Sequence, residues 1–191
     1  MPLIGDHAPE FHAMTTQGKI DFPADYKGSW VVLFSHPADF TPVCTTEFIA
    51  LSRMNETFES LNTKLIGLSI DSLHSHLGWI KSIEALNFNN EGKVKIPFPI
   101  IADISMNVAR KYGMLQTVAN TQTVRAVFII DPEGMIRTIL YYPMSTGRNI
   151  PEIIRILQSL QLNDKTHYST PANWQPGDAV VMGAPLTIEE A

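Results

Sequence analysis

Short apolar runs alternate along the chain with segments whose apolar residues recur every three or four positions. The run WVVLFS, residues 30–35, lies between Gly28 and Pro37, and its aromatic and β-branched residues predict a buried strand. Similar runs at residues 65–70 and 98–102 predict two further strands, and the segments between these runs have helical spacing. This alternation predicts βαβ units with a parallel sheet.

The second half of the chain predicts a hairpin and a helix. Strands are predicted at residues 126–130 and 136–142, because the intervening DPEG has the composition of a tight turn. A final helix is predicted from about Asn149, where apolar residues follow the spacing of one buried helix face: Ile150, Ile153, Ile154, Leu157 and Leu160. With an extended segment up to Phe22, the order favours an α/β thioredoxin-like fold with an N-terminal extension, although other α/β sandwiches share it.

The helical periodicity ends near Asn163, and the remaining residues are rich in proline and glycine. We therefore expect one domain over residues 1–162 and an extended C-terminal arm over residues 163–191, lying on a surface. The length of 191 residues agrees with one domain of ordinary size plus such an arm.

Charge and hydropathy exclude several partners. The net charge is -5 and lysines and arginines are scattered, so the sequence does not indicate binding to nucleic acid. No apolar run approaches the roughly 18 residues of a membrane-spanning helix. The N-terminal segment MPLIGDHAPEFHAM also lacks the basic and apolar regions of a secretion signal. We expect a cytoplasmic protein without a membrane span.

The only cysteine, Cys44, lies in the segment SHPADFTPVCTTE, residues 35–47. Threonine is a preferred N-cap and proline is favoured at the first helical position, so Thr41 and Pro42 predict a helix start with Cys44 as its third residue. The free N–H groups and the dipole at that end favour a thiolate, which is the nucleophilic form of cysteine. An isolated cysteine is more often an inert buried side chain, but this position favours a nucleophile.

The spacing of cysteine and histidine residues along the chain bears on two other kinds of cysteine chemistry and on a metal site. A dithiol oxidoreductase needs a second cysteine three residues later, where this chain has Glu47, so exchange through an internal disulfide is excluded. A cysteine hydrolase would need a histidine partner, and His36 is the nearest candidate in sequence. The two histidines of HSH, residues 74–76, would lie on different sides of a helix, so we expect no metal site there.

The segment around Cys44 resembles the active-site signature of the peroxiredoxins, which are thiol peroxidases built on a thioredoxin fold. SHPADFTPVCTTE is most similar to the one-cysteine, peroxiredoxin-six-type subfamily. The resemblance continues through IGLSIDS (residues 66–72), PFPIIAD (97–103), VRAVFIIDPEG (124–134) and YYPMSTGRN (141–149), and it covers nearly the whole chain.

The resemblance implies a role for each matching residue near the cysteine. Cys44 would be the peroxidatic nucleophile, Thr41 would form a hydrogen bond with the peroxide, and Pro37 would shield the pocket. His36 would contribute to the pocket wall.

The resemblance also implies that charged residues from distant segments belong to the site. Arg125 would stabilise the thiolate and polarise the peroxide, Arg148 would be a second arginine near the site, and Glu47 would hold the arginines in place. The residues alone indicate only Cys44 and Thr41.

The implied function is the reduction of hydrogen peroxide and organic hydroperoxides through a cysteine sulfenic acid, in antioxidant defence and redox homeostasis. The implied reaction needs no metal, haem or other cofactor. Because the chain has no second cysteine, the reducing thiol must come from another molecule such as glutathione or thioredoxin. The family also implies a homodimer in which residues 136–142 pair edge to edge and the arm reaches over the partner, and some relatives form larger rings. The alternative is a redox-switched chaperone-like or binding module on the same fold.

Overall fold

The structure is a computed structural model that describes residues 1–115 and 122–183. It comprises two compact units, Met1–Arg148 and Asn149–Ala191. No helix in the described part of the chain is both long enough and apolar enough to cross a membrane.

The first unit is built on one seven-stranded mixed sheet with the spatial order β2-β1-β5-β4-β3-β6-β7. Neighbours β3, β4 and β5 run parallel, whereas the pairs β1–β2, β1–β5, β3–β6 and β6–β7 are antiparallel. The strands are β1 (Phe11–Thr15), β2 (Gly18–Phe22), β3 (Trp30–Ser35), β4 (Thr63–Ser69), β5 (Ile100–Ala102), β6 (Arg125–Ile130) and β7 (Ile136–Tyr142).

The helices of this unit connect the strands. They are α1 (Pro42–Arg53), α2 (Asn55–Ser60), α3 (Leu73–Ala85) and α4 (Asn107–Tyr112). Helix α1 follows the interior strand β3 after a short loop, and α3 follows the neighbouring strand β4. The loops at the carboxyl ends of these two parallel strands therefore lie next to each other, and this places the β3–α1 loop beside the start of α3.

Strands β3 and β6 are neighbours in the interior of the sheet, and every residue of both is buried. The prediction of a buried strand at residues 30–35 is confirmed, because β3 has neighbours on both sides. Residues 136–142 also form a strand with the predicted bounds, and it lies at one edge of the sheet. This mixed α/β arrangement agrees with the predicted α/β thioredoxin-like fold with an N-terminal extension.

Three predicted strands differ from the structure at their ends. The strand expected at residues 126–130 begins one residue earlier, at Arg125, and that expected at 65–70 spans Thr63–Ser69. The strand expected at 98–102 is limited to Ile100–Ala102, since Pro97 and Pro99 have no N–H to donate to a ladder.

The N-terminal extended segment is an antiparallel hairpin of β1 and β2 rather than a single extended stretch. The Thr15 hydroxyl donates to the carbonyl of Gly18 at 2.7 Å and accepts from the backbone N–H of Gln17 at 3.0 Å, which closes the turn. Gly18 has a φ of 110°, a conformation that glycine adopts readily. The two turn residues, Thr16 and Gln17, are not the Asn-Gly or Asp-Gly pair that usually marks a hairpin, so the sequence pattern does not reveal two strands.

The second unit contains α5 (Ile150–Thr166), which begins after Asn149 as predicted. The Asn149 side chain caps the helix by accepting from the N–H of Glu152, and the predicted apolar face is buried except for the half-buried Leu160. The helix continues to Thr166, across the predicted boundary between residues 162 and 163. Residues 184–191 of the predicted arm lie outside the described residues, so the domain limits stay a prediction.

Candidate active site

The start of α1 has the predicted geometry. Thr41 is the N-cap with extended backbone angles, Pro42 is the first helical residue, and Cys44 is therefore the third. The Thr41 hydroxyl does not cap the helix, because it donates to the carbonyl of Ala38 at 2.9 Å. The first-turn N–H groups are thus not occupied by the side chain of Thr41, and the fully buried Cys44 lies among them.

Arg125 provides the positive charge next to the cysteine. Its Nη1 group donates to Cys44 Sγ at 3.2 Å, and the Arg125 side chain is only 3% exposed. The carbonyl of Met144 accepts from Arg125 Nε at 3.0 Å and from Nη2 at 2.8 Å, so the planar group is held on two sides. A buried cation at this distance stabilises the thiolate form of Cys44.

Glu47 joins both arginines to the helix that carries the cysteine. Its Oε2 accepts from Arg125 Nη1 at 2.8 Å and from Arg148 Nη2 at 2.7 Å. Its Oε1 accepts from the backbone N–H of Arg148 at 2.8 Å and from Arg148 Nε at 3.0 Å. Burial acts to raise the pKa of Glu47, but Arg148 and then Arg125 outweigh it, so the pKa is lowered and the carboxyl is ionised.

The charges of this buried cluster do not balance without the cysteine. Two guanidinium groups face one carboxylate, which leaves an excess of one positive charge. Arg148 is oriented further by donating to the carbonyls of Ser35 and Ala126 at 2.9 Å and 3.2 Å. Because an uncompensated buried charge is costly, a Cys44 thiolate would complete the balance.

Pro37 and His36 lie in the loop between β3 and α1, and both are buried. His36 Nε2 donates to Asp39 Oδ1 at 2.9 Å, and its Nδ1 has no hydrogen-bond partner among the described residues. The hydrolase alternative needs a hydrogen bond from His36 to Cys44, and within residues 1–115 and 122–183 none links them. Burial lowers the pKa of His36, which keeps the ring neutral.

The sequence profile of the AhpC/TSA family matches residues 4–139, and that of the C-terminal domain of 1-Cys peroxiredoxin matches residues 159–191. A peroxiredoxin of Methanosarcina mazei is 61% identical over 191 residues, covering 99% of this chain and 87% of the relative. The chain belongs to the AhpC/TSA family of peroxiredoxins. It is of the one-cysteine type, and it is a thiol peroxidase and thus an oxidoreductase.

Other relatives match this peroxiredoxin over nearly its whole length. A peroxiredoxin of Aquifex aeolicus is 48% identical over 202 residues and covers 100% of this chain and 89% of the relative. A solved yeast mitochondrial 1-Cys peroxiredoxin superposes with a TM-score of 0.87 at 45% identity, covering 95% of this chain and 87% of that one. A cysteine-to-serine mutant of the peroxiredoxin 6 of Arenicola marina gives a TM-score of 0.90 at 39% identity, with 100% and 87% covered.

The structure of this peroxiredoxin adds two residues that the sequence did not indicate. Asp39 and His76 form a buried group with His36, in which the three ligand atoms lie within 4.8 Å of one another. His74 and His76 do lie on different sides of α3, one exposed and one buried, as expected. His76 precedes the buried Trp79 by three positions, a spacing that could have indicated its burial.

The residue types of this histidine and aspartate group are those of metal ligands, but the distances between its nitrogen and oxygen atoms are those of hydrogen bonds. The nitrogens of His36 and His76 each lie 2.9 Å from an oxygen of Asp39. Ligand atoms at about 2.1 Å from a tetrahedral zinc ion stand roughly 3.4 Å apart. The group is therefore a hydrogen-bonded network.

Replacing Glu47 by alanine should destabilise the protein strongly. The substitution leaves two buried guanidinium groups without their carboxylate, and breaking a buried ion pair in this way costs about 3–5 kcal/mol. The free energy of unfolding, measured by urea denaturation, should fall by this amount. The control is Glu59→Gln, at an exposed carboxylate on α2, which should change it by less than about 0.5 kcal/mol. A Glu47→Ala variant as stable as this control would contradict the charge network.

Acidification should lower the free energy of unfolding in a window set by His36 and Glu47. The folded-state pKa of each group is lowered, so the unfolded chain binds more protons and stability falls as pH falls. The fall should start near pH 6.5, the ordinary value of histidine, and continue below about 4.3, that of glutamate. Urea unfolding across this range measures it. The His36→Gln variant should have a flatter profile in the upper part of the window, and an identical profile would refute the assignment to His36.

Proposed function

We propose that Cys44 reduces hydrogen peroxide and organic hydroperoxides by direct displacement. The thiolate sulfur attacks one peroxide oxygen, an S–O bond forms as the O–O bond breaks, and the other oxygen leaves as water or an alcohol after taking up a proton. The observation that carries the proposal is the 3.2 Å contact between Arg125 Nη1 and Cys44 Sγ at the N-terminus of α1.

The surrounding groups support a division of roles in this reaction. Negative charge develops on the leaving oxygen, and Arg125 and the first-turn N–H groups are donors that can stabilise it. The Thr41 hydroxyl already donates its proton to Ala38, so its oxygen lone pairs are available to accept a hydrogen bond from the peroxide O–H. Pro37, buried in the same loop, would limit the access of water. Glu47 and Arg148 would hold Arg125 in position.

The second half of the cycle requires a thiol from another molecule. The chain has one cysteine, and it is fully buried, so the proposed sulfenic acid has no resolving partner within the chain. The yeast relative is described as resolved through the glutathione and thioredoxin systems. We extend this to the present chain, with glutathione, thioredoxin or a similar thiol as reductant and antioxidant defence as the cellular role.

Mass spectrometry and turnover measurements together test this function. One equivalent of peroxide should add one oxygen atom to Cys44, and dithiothreitol or a physiological thiol should then remove it and permit many turnovers. Candidate thiols added in turn would identify the reductant. If peroxide consumption stopped at one equivalent per chain with every thiol, the proposed catalysis would fail and a redox switch would be favoured instead.

We propose a homodimer in which β7 strands of two chains pair edge to edge. Strand β7 is an edge of the seven-stranded sheet, and its residues from Arg137 to Tyr142 are half-buried or exposed, which leaves an apolar edge that needs covering. Whether dimers assemble further into a ring, and whether the protein is cytoplasmic, are predictions that sedimentation and cell fractionation would test. The yeast relative is described as mitochondrial.

A lysine substitution at this edge should dissociate the dimer. In Leu140→Lys, the two chains would each bring a positive charge to the paired strands, where like charges close together are destabilising. Analytical ultracentrifugation should show a shift from dimer towards monomer. The matched control is Lys19→Glu, at an exposed position on β2, the opposite edge of the sheet. Dissociation by the control alone would place the interface on β2.

A further inference from the structure

A buried ionic group lies next to the proposed active site but does not contact Cys44. Asp39 lies in the β3–α1 loop, His36 directly follows β3, and His76 lies in the second turn of α3. The side chains of both histidines are 0% exposed and that of Asp39 is 1% exposed. None of the roles proposed for the reaction uses Asp39 or His76.

Hydrogen-bond geometry sets the protonation of His76. Its Nε2 faces the carbonyl of Ile101 at 3.1 Å, and a carbonyl only accepts, so Nε2 carries a proton. Its Nδ1 faces both oxygens of Asp39, at 2.9 Å and 3.0 Å, which is the arrangement of one N–H shared by a carboxylate. Both ring nitrogens therefore carry protons, and the ring is an imidazolium.

The charge of Asp39 agrees with this assignment. Burial acts to raise the pKa of Asp39, but hydrogen bonds from His36 and His76 outweigh burial, and the pKa is lowered below its usual range. The carboxyl is therefore ionised and the shared proton belongs to His76. His36 donates its Nε2 proton to the same carboxylate, so three groups of the loop and α3 meet at Asp39.

The backbone of the β3–α1 loop is also held by residues near the start of α3. The N–H of Asp39 donates to Asp71 Oδ2 at 3.0 Å, and the Ser69 hydroxyl holds this oxygen at 2.7 Å. Ser69 is the last residue of β4, and Asp71 lies between β4 and α3. In addition, Trp79 Nε1 donates to the Thr45 hydroxyl at 3.2 Å and connects α3 with α1. The loop that leads to Thr41 is thus fixed through residues of the β4–α3 segment.

We propose that His76 is a positioning residue whose buried imidazolium, paired with Asp39, fixes the β3–α1 loop and so places Thr41 for the peroxide. This inference rests on the proposed function, because Thr41 matters only if a peroxide binds beside Cys44. Thr41 follows Asp39 by two residues, so a shift of the aspartate moves the hydroxyl as well. A misplacement of about 1 Å at a reacting site costs up to about a hundredfold in rate.

The rates of two reactions of Cys44, with hydrogen peroxide and with iodoacetamide, distinguish a loss of Thr41 positioning from a general disruption of the site. In His76→Asn the side-chain amide retains a donor towards Asp39 but loses the charge, and in His76→Leu both are lost. We expect the rate constant of Cys44 with hydrogen peroxide to fall about tenfold in the first variant and about a hundredfold in the second. Alkylation by iodoacetamide, which does not need Thr41, should not fall by more than about twofold.

The matched control is His74→Asn, at the exposed histidine two residues earlier on α3. It should leave both rate constants unchanged. Equal losses in the peroxide and alkylation reactions of the His76 variants would overturn the positioning role, as would unchanged peroxide rates in both variants.

Two measurements do not depend on peroxidase activity. Nitrogen NMR of the wild-type protein at neutral pH should show both ring nitrogens of His76 protonated, and a ring with one proton would overturn the proposal. Hydrogen exchange at the amides of residues 38–41 should accelerate in His76→Leu and not in His74→Asn, and equal protection in all three proteins would also overturn it. A wild-type protein that failed to consume peroxide would contradict the proposed function, and these two measurements would still decide whether His76 fixes the loop.

Discussion

The Cys44→Ser variant is expected to lose thiol-dependent peroxide turnover, down to the rate of the thiol reacting without protein. A serine hydroxyl is not ionised at neutral pH, and the arginine that stabilises a thiolate cannot make it an equivalent nucleophile. Removal of an activated nucleophile typically costs about 10⁶-fold. Peroxide consumption with dithiothreitol as reductant measures the loss, and intact-mass spectrometry should show no added oxygen.

The substitution changes one atom in a fully buried position, so the fold should be retained. Circular dichroism and urea unfolding of the variant check this. Turnover equal to that of the wild-type protein would contradict Cys44 as the nucleophile. A chaperone-like activity that survived in Cys44→Ser would support the alternative function of a binding module.

In the Arg125→Gln variant, the rate constant of Cys44 with hydrogen peroxide is expected to fall by about 10²- to 10³-fold. This is the range for loss of one preorganised donor in an active site. The arginine contacts Cys44 Sγ, Glu47 and the carbonyl of Met144 at once, so its loss removes both the charge and the geometry. The rate constant of Arg125→Lys should lie between those of the wild-type protein and Arg125→Gln, because lysine keeps the charge but cannot form the planar set of hydrogen bonds. Stopped-flow measurement at several peroxide concentrations gives these constants.

A control for Arg125 lies on the neighbouring strand. Arg137 of β7 forms an ion pair with Asp131 and has no described contact with Cys44, so Arg137→Gln should leave the peroxide rate within about twofold. Alkylation of Cys44 at neutral pH provides a second measurement. It should be slower in Arg125→Gln than in Arg137→Gln, because loss of the neighbouring cation disfavours the thiolate. A peroxide rate in Arg125→Gln equal to that in the Arg137 control would refute the role of Arg125.

The buried charges at this site are linked to one another through Glu47. Glu47 of α1 accepts hydrogen bonds from both Arg125 and Arg148. Arg125 is the first residue of β6, and Arg148 donates to the carbonyls of Ser35 in β3 and Ala126 in β6. A change at any one of these charges leaves another without a partner in a region of low dielectric constant. We therefore expect non-additive effects when two of them are replaced together.

Much of the local structure follows from neighbouring residues alone. The apolar runs predict β3 and β7 with the observed bounds, and the Thr-Pro pair predicts the start of α1. Periodicity and capping act within one or two turns of helix or along one strand, so they can be read from the sequence without knowing the fold. The hairpin of β1 and β2 was not predicted, because its turn lacks the usual Asn-Gly or Asp-Gly signal.

The sequence by itself determined that Cys44 is the third residue of a helix and that no second cysteine can form an internal disulfide with it, since helix capping and a cysteine count require no tertiary information. It did not determine which charges reach the sulfur. Arg125 lies 81 positions away from Cys44, and His76 lies 37 positions away from Asp39. Only the pairing of β3 with β6 and the packing of α3 beside the β3–α1 loop bring these groups together, because contacts between distant segments depend on sheet order and burial rather than on local pattern.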